Sequence, residues 1–186
     1  MEKIRPKQEK PCLYIAYLSV AIPLFSIVIA IMLSEWFSIT NNALSDLGHA
    51  IRSPAALVFN FALGLGGALI IYVSALCIYQ SSKLFSAVGF LTGFTLILVA
   101  IFDEIYGEFH IKVSIAFFLS LAIFLIAYAV YFKSYLSLPA LGISIIAWIL
   151  HLMYDIPRGA AIPELVSIFA VIPFYIDAMK RFQAES

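Results

Sequence analysis

The chain has 186 residues, of which 63% are hydrophobic and 12% are charged, and its mean hydropathy of +1.03 excludes an ordinary soluble domain. Its formal net charge is zero, with 11 basic and 11 acidic residues. Because nucleic-acid-binding proteins carry a basic surface, this balance excludes nucleic acid as a partner and the composition predicts the lipid bilayer instead.

Six apolar segments, separated by charged residues, Pro or Asn, are each long enough to cross a hydrocarbon core of about 30 Å. They cover approximately residues 12–34, 55–80, 86–103, 113–132, 139–155 and 163–181. No internal repeat divides them. We therefore predict a single all-α domain, a polytopic transmembrane six-helix bundle.

The first segment follows a short basic tail. With more than twenty apolar residues, it exceeds the h-region of a signal peptide, which has about 7 to 15 residues. No clear small-residue cleavage site follows it. We therefore interpret this segment as an uncleaved first span.

Lys and Arg are distributed unevenly between the two sides of the predicted bundle. The N-terminal side holds eight of them: Lys3, Arg5, Lys7, Lys10, Lys83, Lys133, Lys180 and Arg181. The other side holds three: Arg52, Lys112 and Arg158. Since short cytoplasmic loops are enriched in basic residues, the sequence predicts a multi-pass protein of the cell membrane with both termini in the cytoplasm.

The two cysteines, Cys12 and Cys77, fall near the predicted cytoplasmic ends of their spans. A stable disulfide is unexpected in that compartment. Neither residue has the CxxC spacing of a metal or redox site. We interpret both as packing residues.

Pairs of small residues spaced four apart occur in the second and third segments. Ala62 and Gly66 form one pair, and Gly89 and Gly93 form another. Such pairs let helices approach closely in lipid, where no hydrophobic force drives association. They predict tight packing between spans two and three, without direct ligand contact.

The predicted loop after the first span is the richest in polar residues. Asn42, Asp46 and His49 lie there within one short stretch. Asn42 is expected to cap a short helix from which Asp46 and His49 project within one turn. The stretch predicts either part of a catalytic site or an amphipathic turn at the headgroups.

The string Asn42-Ala43-Leu44-Ser45-Asp46-Leu47-Gly48, with Phe59-Asn60 in the next span, resembles the DUF998 family of membrane proteins. The similarity extends over most of the chain. This resemblance implies a multi-span membrane fold and brings no established chemistry.

A second likeness is to the CREST superfamily of membrane hydrolases, which includes the alkaline ceramidases. Ser45 and His49 match the Ser and following His of that metal site, and His151 and Asp155 match the spacing of its His-x-x-x-His. Asp155 stands where the superfamily has a second His, and six spans are predicted where it usually has seven. The likeness implies a metal-dependent lipid hydrolase.

Residue spacing also predicts a metal site. His151 and Asp155 lie four apart, so a helix places both on one face, and His49 supplies a third ligand for zinc. Zinc acidifies a bound water, whose proton Asp46 or Asp103 can accept, with Ser45 stabilising the oxyanion. The alternative is that His151 and Asp155 form a hydrogen-bonded pair at a helix end.

Other polar candidates surround this end of the bundle. Asp103, Glu104 and Glu108 can raise one another's pKa or bind a cation, or they form an ordinary acidic rim. His110 is assigned to the loop beside them, as a solvated or pairing residue. Asn60 lies one turn into the second span and should form a hydrogen bond across helices or to this cluster.

Two function classes fit these residues. The first is a metal-dependent hydrolase of a lipid or other amphiphile, and the second is a cation- or proton-coupled transporter or channel. A non-catalytic lipid-binding protein is a third. Polar residues concentrate at one end and are sparse at mid-span, so the sequence favours a pocket for a lipid or small-molecule ligand at the outer face.

Overall fold

A computed structural model describes residues 11–185 and contains six long helices. They are α1 (Pro11–Leu33), α2 (Ala56–Val73), α3 (Lys83–Ile101), α4 (Glu108–Tyr131), α5 (Ser137–Tyr154) and α6 (Ala161–Glu185). A π-helical turn, Ser74–Ile78, continues α2. All six are long and apolar enough to cross a membrane, which confirms the predicted multi-pass architecture.

The predicted boundaries agree with the helices to within a few residues except at α4. This helix begins at Glu108, five residues before the predicted start at position 113. The prediction that His110 lies in a loop is therefore wrong, because His110 occupies the first turn of α4 and is buried. The polar residues around His110 resemble a loop and so concealed the start of the helix. Gly107, directly before the helix, has a φ of 53°, a conformation that glycine adopts readily.

Five of the helices surround a common core. Each of α1 to α4 packs against the next in the chain, and α6 contacts both α1 and α4 to complete the ring. Helix α5 packs on the outside of α4 and α6. Of its 18 residues, only Ser137 and Ser144 are buried. The ring therefore encloses the interior of the bundle, while α5 presents most of its surface outward.

Glycines bring α2 close to α3, as predicted, and also to α1, which was not predicted. A Cβ added at Gly67 would lie 2.6 Å from the Gly93 carbonyl oxygen of α3. A Cβ at Gly66 would overlap Pro23 of α1. Backbones can approach this closely only where no side chain intervenes, so these glycines fix the separation of α1, α2 and α3.

Cys12 at the start of α1 and Cys77 in the π-helical turn that continues α2 form a disulfide, with Cα atoms 6.0 Å apart. The prediction that they are separate packing residues is therefore wrong. It relied on the expected redox compartment, whereas the antiparallel packing of α1 against α2 decides which residues meet. A disulfide is typical of an oxidising, extracytoplasmic compartment, whereas the basic residues predict that this end of the bundle faces the cytoplasm. The two observations therefore indicate opposite sides of the membrane.

An aromatic cluster fills the core at the same end as the disulfide. Phe85 is 1% exposed, and its ring centroid lies 5.1 to 5.7 Å from those of its aromatic neighbours. These neighbours are Phe124, Tyr131, Phe132 and Phe182. Close edge-on packing of large rings closes this end of the ring of helices.

The opposite end, which we call the polar end, is formed by the loops at 34–55, 102–107 and 155–160. Backbone hydrogen bonds join the first and third loops: Gly159 N–H donates to Thr40 O at 2.9 Å, and Ala161 N–H donates to Asn42 O at 3.0 Å. A Cβ at Gly159 would overlap the backbone of Asn42. The absence of a side chain at Gly159 therefore allows the two loops to pair.

Candidate functional site

A short 3₁₀ helix, Leu44–Gly48, lies at the centre of the polar end. Asn42 does not cap it, contrary to prediction. Instead, Asp46 Oδ2 accepts hydrogen bonds from Ala43 N–H at 2.9 Å and from Asn42 Nδ2 at 3.0 Å. The Asn42 Oδ1 atom is occupied by Ser38 N–H, so Asp46 itself supplies the carboxylate that closes this turn.

Ser45 lies on the same 3₁₀ helix and contacts the second polar-end loop. Its hydroxyl donates a hydrogen bond of 2.8 Å to Glu104 Oε1. Glu104 opens a 3₁₀ turn, Glu104–Tyr106, and Asp103 precedes this turn as its N-cap. The predicted candidates Ser45, Asp46 and Glu104 are therefore brought together in space.

Glu104 has a strongly shifted pKa. Burial raises the pKa of its carboxyl from 4.5 to about 7, because removal from water disfavours the charged form. The hydrogen bond to Asp46 and the negative charges of Asp46 and Glu164 act in the same direction, whereas the Ser45 hydroxyl opposes them. Glu104 therefore exchanges a proton near neutral pH.

Glu164, in the first turn of α6, completes the group. It is 7% exposed, and its Oε2 accepts a hydrogen bond of 2.6 Å from Leu44 N–H. This contact joins α6 to the 3₁₀ helix that carries Ser45.

A cavity of about 130 Å³ lies beneath this group. Ser45 and Glu164 line it at the polar end, and Ser19 and Tyr175, which hydrogen-bond to each other at 3.1 Å, line it deeper in the bundle. Between them the lining comes mainly from apolar side chains of α1, α2, α3, α4 and α6, including Leu63, Leu96, Phe117, Leu121 and Val171. The site is thus an apolar cavity with a polar roof.

Two predicted candidates connect elements of the polar end. Asp103 is buried and accepts hydrogen bonds from Ala50 N–H at 3.2 Å and Ile105 N–H at 2.9 Å. Asn60 donates to Gly48 O at 2.8 Å, which confirms its predicted contact with the cluster. These bonds satisfy backbone groups, so Asp103 and Asn60 hold the loops that present Ser45 and Glu104.

The three histidines lie on different parts of the polar end. His49 Nδ1 accepts weak hydrogen bonds from Ile51 and Arg52 N–H at 3.3 and 3.4 Å. His110 contacts Phe102 O through Nδ1 at 2.6 Å, and Nδ1 of His151 lies 2.9 Å from Pro157 O. Each imidazole ring is therefore in hydrogen-bond contact with backbone atoms of residues close to it in the chain.

The proposed zinc ligands are not arranged as a metal site. Over residues 11–185, no group of three or more His, Cys, Asp or Glu side chains is positioned to hold a metal ion. Asp155 is exposed in a left-handed conformation at the end of α5, and Glu108 is exposed at the start of α4. Within the described residues, the side chains of Asp155, Glu108, His49 and His151 make no hydrogen bond to the side chains of Ser45, Asp46 or Glu104.

Glu164 is the site residue that sequence reasoning missed. An acidic residue in the first turn of a helix is common, since it stabilises the positive end of the helix dipole. The available signal was its position within an apolar span, where a carboxyl group is costly unless it has a partner. Its partner, the Leu44 backbone, lies 120 residues away, and no local pattern reveals such a pairing.

Comparison with known proteins identifies one family. The model described as "Protein of unknown function (DUF998)" matches residues 17–176, which include the four complete helices α2 to α5 and most of α1 and α6. No curated protein and no solved structure matches the chain. The likeness to the CREST superfamily stays a prediction. Because the family model covers well over half of its length, the chain belongs to the DUF998 family of membrane proteins.

Proposed function

We propose that this protein binds an amphiphile within the membrane, with the apolar part in the central cavity and the polar head at the roof. The observation that carries this proposal is the lining of the cavity. Apolar side chains form most of the lining, Ser45 and Glu164 bring polar atoms to one end, and the deeper hydroxyls of Ser19 and Tyr175 hydrogen-bond to each other. Ligand sites in proteins combine a mostly apolar surface with a few convergent polar groups in this way.

The dimensions suit a narrow apolar chain. Glu164 and Tyr175 lie eleven residues apart on α6, about 16 Å at 1.5 Å per residue. The cavity volume is about 130 Å³, and an engineered apolar cavity of about 150 Å³ admits benzene. A long but narrow space of this size fits an alkyl segment better than a bulky ring system.

The closed end of the bundle favours binding over transport. The aromatic cluster around Phe85 fills the core opposite the polar end, whereas a transport path needs polar groups on both sides of the midplane. The carboxyl groups of Asp46, Glu104 and Glu164 all lie at the polar end. We therefore favour the binding of an amphiphile over transport as the function of this protein.

The binding proposal is tested with an alkyl amphiphile that carries a diazirine in its chain, photolysed with the protein in phosphatidylcholine vesicles. Crosslinks are expected on cavity residues of α4, and an excess of the unlabelled amphiphile should remove them. Leu121→Trp, which fills the cavity, should abolish them. Its matched control is Leu119→Trp on the same helix, where Leu119 is 58% exposed and lies outside the cavity lining.

Crosslinking confined to outward-facing positions such as Leu119, with no competition by unlabelled amphiphile, would show only bulk lipid contact. That result would refute a specific site. Equal losses in both Trp variants would likewise remove the cavity as the explanation.

A further inference from the structure

The roof of the cavity contains a hydroxyl group paired with a carboxyl group. Ser45 lines the cavity, and its Oγ–H points at Glu104 Oε1 over 2.8 Å. In its protonated form Glu104 can in turn donate a hydrogen bond to Asp46, whose Oδ2 is fixed by two N–H donors of the loop. A nucleophile beside a base that a third group orients is the recurring arrangement of covalent catalysis.

We propose that Ser45 is a nucleophile and Glu104 its general base, in the hydrolysis of a carboxylic ester carried by an amphiphile bound in the cavity. Asp46 is the positioning residue that orients Glu104. This inference rests on the proposed binding function and assigns it a reaction and a substrate class. In this mechanism Ser45 is the nucleophile, whereas in the zinc hypothesis it stabilises the oxyanion.

The reaction balances with one water. Ser45 Oγ attacks the ester carbonyl carbon and passes its proton to Glu104, which returns it to the alcohol oxygen as the carbon–oxygen bond breaks. The alcohol leaves, and the acyl group is esterified to Ser45. Water then attacks the acyl carbon and gives its proton to Glu104, and Ser45 Oγ recovers that proton as the carboxylic acid departs.

The surroundings of Glu104 suit a base that works near neutral pH. A general base is most effective when its pKa lies near the operating pH, and that of Glu104 is raised to about 7. The ionisable groups that face it are Asp46 from the first loop and Glu164 from α6, both acidic. The same acidic surroundings favour substrates with a neutral or cationic head over anionic ones.

The proposal is tested by phosphonylation of Ser45 with decyl fluorophosphonate, a reaction in which Oγ attacks phosphorus and fluoride leaves. Purified full-length protein in phosphatidylcholine vesicles is treated and the adduct is located by peptide mass spectrometry. A decyl phosphonate on Ser45 is expected in the wild type and no adduct there in Ser45→Ala. In Glu104→Gln the reaction should be at least about 100-fold slower, the lower end of a general base's contribution.

Two further variants separate catalysis from structure. Ser38→Ala removes another hydroxyl of the same loop, outside the cavity lining, and should label at the wild-type rate. Asp46→Asn should shift the pH midpoint of labelling downward, because Asp46 raises the pKa of Glu104. A purely structural Asp46 would change the amount of folded protein and leave that midpoint unchanged.

The outcomes distinguish this inference from the binding proposal. If the diazirine amphiphile crosslinks the cavity of the wild type while Ser45 stays unmodified, the nucleophile assignment is overturned and the binding function stands. Labelling of Ser45 that is as fast in Glu104→Gln as in the wild type also overturns it. Absence of the cavity crosslinks removes both proposals.

Discussion

Replacing Glu104 by Gln should make the stability of this protein less sensitive to pH. The folded protein holds the Glu104 proton up to about pH 7, whereas the unfolded chain releases it near 4.5. Between these values the folded state binds more protons, so the free energy of unfolding falls as the pH rises through this window. Above pH 7 both states are deprotonated and the loss is complete.

The size of the effect follows from the pKa. A rise from 4.5 to about 7 corresponds to about 3 kcal/mol at most, and because Glu104 is only partly buried, solvent screening reduces this to about 1 to 2 kcal/mol. A Gln side chain resembles the protonated carboxyl group: it can accept from Ser45 and donate to Asp46. The variant should therefore match the wild type at pH 4.5 and exceed its stability at pH 8.

The assay is thermal unfolding in detergent from pH 4.5 to 8, followed by tryptophan fluorescence. The expected gain at pH 8 is about 2 to 8 °C in the midpoint for a chain of this length. Glu108→Gln is the matched control, since Glu108 is an exposed acid of the same end and should retain the wild-type pH dependence. An unchanged pH dependence in Glu104→Gln would refute the assignment of this titration to Glu104.

Three further predictions concern the contacts that hold the site. Gly159→Ala should lower the free energy of unfolding by about 1 to 3 kcal/mol, because the added Cβ would overlap a neighbouring loop. The control is Gly142→Ala, where the added Cβ meets open space and the change should be neutral or slightly stabilising. Chemical denaturation measures the free energy of unfolding of both variants. Cys77→Ser should cost about 2 to 4 kcal/mol, and maleimide should modify Cys12 and Cys77 of the denatured wild type only after reduction; modification without reductant would contradict the disulfide. Asp103→Ala should cost about 1 to 3 kcal/mol, since it leaves two backbone N–H groups without their acceptor, and an unchanged midpoint would show that water replaces it.

Local pattern was sufficient to predict the helices. The apolar runs are long, and each helix satisfies its own backbone in lipid, so the number and type of elements follow from composition alone. The small-residue pairs at Gly66 and Gly93 were equally readable, because a missing side chain has the same consequence in any close helix pair. The start of α4 was not, since polar residues around His110 resemble a loop.

The candidate site was predicted only in part. The sequence identified the polar end and named Ser45, Asp46 and Glu104, because ionisable groups near lipid require partners. It paired them with the wrong neighbours, grouping His49, His151 and Asp155 by spacing along one helix and by an assumed convergence of loops. Each of these histidines instead contacts nearby backbone.

The sequence by itself determined a six-helix membrane protein with its histidines and most of its acidic residues at one end, because hydrophobicity and chain length act locally. Only the tertiary structure decided that Ser45 meets Glu104, that Glu164 supports the roof from α6, and that Cys12 meets Cys77. These partners lie 59 to 120 residues apart in the chain. Contacts over such separations depend on which helices pack together and at what height, and no periodicity along the sequence records that arrangement.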